Sequence, residues 1–191
     1  GTLSDGQFRV GDEVEIMPEG LKARIRGMQT HKKSVEIGLP GSRLAINLRG
    51  VRPDDLRRGM VVARPGALRP ADMLDVRLRL VRSDDWHASL GHSDQIDFFS
   101  GAAEVPARVR LLDAEEIRAG QAGWAQLVLE SPVAVAAGDR FIVRQPSPSL
   151  TVGGGIIVNP HPARRWRRFQ AEVLAQLETL ARGTPQDLIF H

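Results

Sequence analysis

The stretch GMQTHKKSVEIGLPGSRLAINLRGV, residues 27–51, decides the fold of the N-terminal part of the chain. It predicts two short strands joined by a long polar loop, and the loop carries His31 and Lys32 near its tip. After a Pro-Gly turn, aliphatic and other residues alternate with a period of two, which predicts a half-buried strand. The aliphatic set is Leu44, Ile46 and Leu48, and the opposite set is Arg43, Ala45, Asn47 and Arg49. We expect the second set to face water or to line a pocket.

The composition excludes several classes of protein. The 191 residues contain no cysteine, so disulfides, thiolate chemistry and cysteine zinc sites are excluded. No run approaches the roughly 18 apolar residues of a membrane span, and no signal peptide is visible. These features favour a cytoplasmic protein with no membrane partner. Tyrosine is absent and aromatic residues are 5% of the chain, so a stacking platform for single-stranded nucleic acid is not expected.

Short strand-like segments continue through most of the chain. Their spacing, with glycine and proline turns between them, is typical of antiparallel barrels. The segment RPGALRPA, residues 64–71, is the expected domain boundary because it holds two prolines and a glycine. We therefore predict an all-β fold with two antiparallel β-barrels, at residues 1–66 and 71–160. A C-terminal amphipathic helix and a linker are expected at residues 161–191.

The sequence period changes after residue 160. Apolar residues then recur at spacings of three and four, which predicts one amphipathic helix that ends near Gly183. These residues are Trp166, Phe169, Val173, Leu177 and Leu180. Four arginines fall at the predicted start of the helix, where the positive end of the macrodipole disfavours cations. They are Arg164, Arg165, Arg167 and Arg168. That local cost favours contact with RNA or an acidic partner, and the alternative is a solvated helix face.

No catalytic constellation is visible in the sequence. There is no P-loop, no dinucleotide-binding glycine motif and no nucleophile elbow. The five histidines lack metal-ligand spacing, and the pairs Asp84-Asp85 and Glu115-Glu116 are expected in solvated loops. The glycine run at residues 153–155 predicts a strand that a neighbouring backbone approaches closely, or a bulge. We expect no enzyme activity, metal or cofactor in this chain.

Arg43 and Asn47 are the candidate binding residues of the opening stretch. They share one face of the predicted strand. A guanidinium offers a fixed fork of donors to an anionic group, and an amide offers both a donor and an acceptor. The alternative is an ordinary surface arginine in a salt bridge, which typically contributes less than about 1 kcal/mol.

Several segments resemble the barrel domains of translational GTPases. Residues 1–14 and 40–50 are similar to the second domain of that superfamily. Residues 92–110, 132–143 and 151–158 are similar to the third domain of elongation factor Tu. Within the superfamily the chain resembles the selenocysteine-specific elongation factor most, through Gly41 to Asn47, through Val152 to Pro160, and through its continuation into a basic helix. Residues 183–188 look like the start of a winged-helix domain.

The resemblance implies that the two barrels hold the aminoacylated 3′ end and acceptor arm of selenocysteyl-tRNA, for delivery to the ribosome at recoded UGA codons. Arg43 would contact the selenocysteinyl group, with Asn47 on the same face. Gln29, His31 and Lys32 would lie along the loop that receives the terminal adenosine. GTP and Mg²⁺ would belong to a GTPase domain of the parent protein, and an mRNA hairpin to its C-terminal domains.

The same resemblance implies that the chain is a fragment. Its first residue would fall just inside the second domain of the family. The first strand of that barrel and an acidic-basic pair beside the aminoacyl pocket would then be missing, leaving a strand edge that could pair with another copy. Three alternatives stay open: the tRNA-binding barrels of another translational GTPase, the scaffold barrels of a GTPase-type sulfate adenylyltransferase subunit, and a protein-interaction module.

Overall fold

The computed structural model describes residues 1–82, 89–147 and 149–183. The chain divides into two compact units, Gly1–Arg69 and Pro70–His191. Each unit has its own hydrophobic core. Within the described residues, the regular structure consists of strands, one C-terminal helix and a short 3₁₀ turn. The predicted all-β architecture is confirmed.

The first unit is an open half-barrel. Its strands are β1 (Phe8–Arg9), β2 (Glu13–Met17), β3 (Leu21–Thr30), β4 (Lys33–Val35), β5 (Ile37–Gly38), β6 (Ala45–Arg49) and β7 (Val61–Ala63), with a 3₁₀ turn at Pro53–Asp55. The main sheet has the order β4-β3-β2-β7, with β6 paired to β3, while β1 pairs with β5. Residues 1–3 lie antiparallel to residues 41–44 through backbone hydrogen bonds.

Alternation explains how the strands of the first unit bury one face. Val14, Ile16 and Ile25 are each 1% exposed and lie in the core of this unit. Leu44, directly before β6, is buried in the same core, and Ile46 and Leu48 of β6 pack against this core. The predicted half-buried strand is therefore present, with its arginine and asparagine positions facing outward.

The second unit contains a closed six-stranded antiparallel barrel. Its strands are β8 (Pro70–Leu80), β9 (Ser89–Gly91), β10 (Gln95–Ser100), β11 (Ala103–Leu111), β12 (Glu116–Arg118), β13 (Ala122–Ala134), β14 (Arg140–Gln145) and β15 (Leu150–Asn159). The barrel order is β10-β11-β13-β8-β15-β14, and β14 pairs back to β10. The short strands β9 and β12 pair separately.

The glycine run of β15 lies against the backbones of both neighbouring strands. A Cβ at Gly155 would lie 1.8 Å from the carbonyl oxygen of Arg77 in β8, and one at Gly154 would lie 2.4 Å from that of Phe141 in β14. The predicted close approach is therefore present at this strand. The register of β15 also shifts on both sides of the run, against β14 and against β8.

The C-terminal helix begins later than the apolar spacing predicts. Helix α1 (Ala171–Arg182) contains Val173 and Leu177, which pack against Trp124 and other residues of the barrel. Trp166 and Phe169 precede it, and Phe169 has a φ of 60°, which is incompatible with a right-handed helix. The predicted start of the helix was therefore wrong, because those two residues belong to an irregular segment on the barrel.

Candidate functional site

The exposed face of β3 and β6 gathers the candidate residues of the opening stretch. In the antiparallel register, Gln29 faces Ala45 and Gly27 faces Asn47. Residues that face each other across two strands point to the same side of the sheet. Gln29, Ala45 and Asn47 are all exposed, so this side is the wet one.

Arg43 lies two residues beyond Ala45 on the same side. Its backbone forms an isolated antiparallel bridge with Thr2, and the adjacent Leu44 is buried in the core. The guanidinium is exposed, and within the described residues it forms no ion pair. Arg43 therefore does not form, with any described residue, the surface salt bridge that was the alternative expectation. Its N–H groups remain available to an external anion.

The hairpin between β3 and β4 has an unusual tip. Thr30 faces Lys33, so His31 and Lys32 form a two-residue loop, and their φ angles are 48° and 66°. Two consecutive positive φ angles mark a primed hairpin turn, in which Asn-Gly is the preferred sequence. Histidine and lysine are strained in this conformation. Such strain tends to persist at functional sites, so this tip is a candidate for ligand contact.

Replacing the loop by its preferred sequence should relieve this strain. We expect H31N/K32G to stabilise the first unit by about 1 to 2 kcal/mol, because both residues would then tolerate the left-handed conformation. Urea unfolding followed by far-UV circular dichroism would measure the change. The matched control is Lys33→Gly in β4, which should destabilise the unit because glycine weakens a strand interior. Equal effects from both changes would contradict the assignment of strain to the loop.

The structure brings all five candidate residues to one region of the first unit. Gln29 and Asn47 lie on the shared face of β3 and β6. Since the strands are antiparallel, His31 and Arg43 each lie two residues beyond the Gln29–Ala45 pair in the same direction. Lys32 follows at the hairpin tip. The exposed face therefore carries the amides of Gln29 and Asn47. The cationic side chains of Arg43 and Lys32 and the imidazole of His31 lie at one end of this face.

The four C-terminal arginines do not lie on a helix. They occupy the irregular segment between β15 and α1, so the predicted repulsion from a helix macrodipole does not act on them. Arg164 lies over the ring of Trp166, with its guanidinium carbon 5.3 Å from the ring centroid. Arg167 is exposed. Helix polarity therefore gives no reason to expect an RNA or acidic partner at these arginines, and that part of the prediction was wrong.

Arg168 attaches this segment to the barrel. Its guanidinium donates to the carbonyl oxygens of Leu111 at 2.9 Å and Ala114 at 2.8 Å, and it forms a 2.8 Å ion pair with Glu115. Glu115 therefore has a partner, although it stays exposed in a loop as expected, and Glu116 is instead the first residue of β12. The other acidic pair, Asp84-Asp85, lies outside the described residues. With these contacts Arg168 has a structural role.

Arg165 lies beside a groove on the barrel of the second unit. The groove has a volume of about 520 Å³, and its charged lining residues are Asp97, Arg108, Arg110, Glu130 and Arg165. Arg108 donates to the carbonyl oxygen of Ser93 at 3.0 Å and Arg110 to that of Trp166 at 3.1 Å. Two carboxylates offset part of the positive charge, so the groove is mixed in character.

A buried polar network around Asp75 was not predicted. Asp75 is fully buried and accepts hydrogen bonds from Gln126 Nε2 at 2.9 Å, Trp166 Nε1 at 3.1 Å and Asn159 Nδ2 at 3.2 Å. Gln126 Oε1 in turn accepts from the Trp166 backbone amide at 2.9 Å. Burial raises the pKa of the Asp75 carboxyl, and the hydrogen bonds oppose that rise.

Two family models match the chain. The model for the β-barrel domain of the selenocysteine-specific elongation factor matches residues 77–164, and the model for elongation factor Tu domain 2 matches residues 1–63. The selenocysteine-specific elongation factor of Desulfomicrobium baculatum is 35% identical over 190 residues. This chain belongs to the selenocysteine-specific elongation factor family. The match covers 100% of the chain and 29% of the relative.

The match to elongation factor Tu domain 2 covers the face of β3 and β6. The selenocysteine-specific match covers most of the barrel, including Gln126 and Asn159, whereas Asp75 and Trp166 lie just outside it. In the part of the chain that the structure describes, no group of three or more histidine, cysteine or acidic residues could hold a metal ion. No described helix of this family member is long and apolar enough to cross a membrane. The expected winged-helix start at residues 183–188 lies almost entirely outside the described residues.

Proposed function

We propose that the first unit binds the aminoacylated 3′ end of selenocysteyl-tRNA on the exposed face of β3 and β6. The observation that carries this proposal is the position of Arg43: it is exposed, and no described carboxylate pairs with it. It also lies on one face with Gln29 and Asn47. An unpaired guanidinium beside neutral amides is suited to one small anion in a polar setting.

Arg43 would distinguish selenocysteine from serine by charge. A selenol is more acidic than a hydroxyl and is ionised near neutral pH, so it can accept a charge-assisted hydrogen bond from a guanidinium. The serine hydroxyl stays neutral and can accept only a weaker bond. Hydrogen bonds to charged groups contribute about 1.5 to 3 kcal/mol, which corresponds to roughly a ten- to hundredfold difference in affinity.

Gln29, His31 and Lys32 would contact the terminal adenosine. The amide of Gln29 can donate to and accept from a base edge or a ribose hydroxyl. The strained hairpin tip would place His31 and Lys32 beside the ribose and phosphate. A rigid two-residue turn is a suitable support for such contacts, because its residues have little freedom to lose on binding.

The remaining activities would belong to a longer protein. We propose that this protein delivers the charged tRNA to the ribosome in the cytoplasm, with GTP and Mg²⁺ on a separate GTPase domain and an mRNA hairpin on its C-terminal domains. The second unit would hold the acceptor arm. The support is the family membership, the two-unit arrangement and the 29% share of the relative's length that the chain spans.

Arg43→Ala tests the proposal. In the longer protein we expect affinity for selenocysteyl-tRNA to fall about ten- to hundredfold while affinity for seryl-tRNA changes little, because only the selenolate loses an ionic partner. Fluorescence titration with both charged tRNAs measures the two constants. Arg43→Lys should retain part of the preference, since it keeps the charge without the bidentate fork.

The matched control is Arg58→Ala, which removes one exposed arginine from the same unit. It should leave the preference intact. If Arg43→Ala still discriminates as the wild type does, Arg43 is not the selecting residue. If both tRNAs lose affinity equally with Arg43→Ala, the arginine contacts the tRNA backbone and the aminoacyl assignment is wrong.

A further inference from the structure

A second cationic site lies at the other end of the same sheet face. Arg24 and Arg26 of β3 and Arg49 of β6 surround a hollow of about 470 Å³, and we call these three residues the arginine triad. All three side chains are exposed. Arg49 lies six residues from Arg43, which at about 3.3 Å per residue places the triad roughly 20 Å from the proposed aminoacyl end.

The triad has too few carboxylates to balance its charge. Glu13, Arg24 and Arg49 form one row across β2, β3 and β6. Glu13 forms a 2.8 Å ion pair with Arg24. Arg24 and Arg49 also face each other, and like charges in directly opposite positions destabilise a sheet. Within the described residues, neither Arg26 nor Arg49 forms an ion pair, so about two positive charges are uncompensated.

Arg26 enters the triad through a bulge. The register of β3 against β6 shifts between Ile25 and Gly27, so Arg26 is the extra residue of the longer strand. Bulges redirect side chains and are over-represented next to active sites. Here the irregularity places a third guanidinium beside two that already repel each other. None of the three arginines is buried, so the core of the unit does not require them.

We propose that the arginine triad binds the phosphodiester backbone of RNA, at a site separate from the aminoacyl end. The planar fork of a guanidinium matches a phosphate group bidentately. No exposed apolar or aromatic side chain lines the hollow, since Ile25 is buried. A protein partner would need such an anchor, and a base would need a stacking surface. The side chains around the hollow are therefore suited to phosphates of the RNA backbone.

Binding of uncharged RNA by the 191-residue chain tests this proposal. The probes are a fluorescent 12-nucleotide RNA and the corresponding RNA duplex, without any amino acid, so the outcome does not depend on Arg43. The variant is R24Q/R26Q/R49Q. At about 0.1 M salt we expect at least a tenfold loss of affinity, and we expect the slope of log affinity against log salt to flatten by about two to three.

The matched control is R9Q/R58Q/R69Q, which removes the same net charge from exposed positions of the first unit outside the triad. It should weaken binding by no more than about threefold. The triad variant should melt close to the wild-type temperature, because relief of the Arg24–Arg49 repulsion offsets the loss of the exposed Glu13–Arg24 ion pair. Equal losses from both triple variants would overturn the proposal, since total charge alone would explain them.

A competition experiment separates RNA from acidic proteins. Polyglutamate at the same charge concentration should displace the RNA from the wild-type chain at least tenfold less well than unlabelled RNA does, because carboxylates on a flexible chain lack the phosphate geometry. Equal displacement would overturn the choice of RNA. Stronger binding of the duplex assigns the triad to a helical region, and stronger binding of the single strand assigns it to an unpaired one. Either result supports a backbone site.

Discussion

Gly155→Ala is expected to destabilise the second unit by about 3 kcal/mol or more. An added Cβ would lie 1.8 Å from the carbonyl oxygen of Arg77 and 3.1 Å from the ring of Phe141. The first of these atoms belongs to the backbone of β8, so the clash is relieved only if two paired strands of the closed barrel separate. Closed barrels have no free edge at which such a shift can be absorbed.

Tryptophan fluorescence during urea unfolding measures this effect without interference from the first unit. All three tryptophans, Trp86, Trp124 and Trp166, fall in residues 70–191. The control is Gly183→Ala, whose Cβ would make only ordinary contacts beyond 3.4 Å. Gly183 also has a φ of −82°, which alanine adopts readily. Similar midpoints for Gly155→Ala and the wild type would show that β15 can move away from β8.

Asp75→Ala is expected to cost about 3 kcal/mol in the stability of the second unit. The change removes the acceptor for Gln126, Trp166 and Asn159 and leaves three donors in a buried site. Each unsatisfied buried donor costs about 1 to 3 kcal/mol, although partial relaxation keeps the sum below the simple total. The irregular segment before α1 should also become more accessible to protease, because Trp166 loses its side-chain partner.

The stability of the wild-type unit should also depend on pH through Asp75. Because burial raises the pKa of this carboxyl, the folded state holds its proton more tightly than the unfolded state does. This group therefore contributes most to stability at pH values below its ordinary pKa near 3.8, and its contribution declines as pH rises through the raised folded value. Asp75→Asn cannot titrate and should lack this component of the pH dependence.

Glu104→Ala is the matched control for both experiments, since it removes an exposed carboxylate from the same barrel. It should change the unfolding midpoint little and leave the pH dependence as in the wild type. A pH profile of Asp75→Asn that coincides with that of the wild type would contradict the assignment of this component to Asp75. A stable Asp75→Ala variant with a protected C-terminal segment would show that Trp166 docks without the network.

The barrels could be predicted because alternation reports directly on which face of a strand is buried. In β8, Leu74, Val76, Leu78 and Leu80 are all fully buried, as period two requires. The strands β9 and β12 were missed because three residues are too few to show alternation. Asp75 alternates with these buried residues along β8, so period two predicts that its side chain faces outward. It is buried only because a segment some 90 residues later covers it, and no local pattern reports that.

The start of the helix was mispredicted for a related reason. Trp166 and Phe169 have helical spacing relative to Val173, but spacing only records that apolar residues recur. Trp166 packs against the same cluster as Val173, around Trp124, but it reaches that cluster from the irregular segment, where its indole also donates to Asp75. An irregular segment and a helix that bury residues in one cluster therefore produced one apparent period. Phe169, with its positive φ, marks the break between them.

Part of the candidate site could also be predicted. Alternation placed Arg43 and Asn47 on one exposed face, and the structure adds Gln29 through the register of β3 and β6. The arginine triad was missed because its members are distant in sequence and meet only by strand pairing across a bulge. The strain at the hairpin tip was invisible in the sequence, since neither histidine nor lysine signals a left-handed conformation.

The two attachments between β15 and α1 have a mechanical consequence. Trp166 is fixed to Asp75, and two residues later Arg168 is fixed to the carbonyl oxygens of Leu111 and Ala114. Two separate anchor points remove the rotation that a single hinge would allow. These contacts hold the segment that precedes α1 in one orientation on the barrel. A force that turns α1 therefore turns the barrel with it.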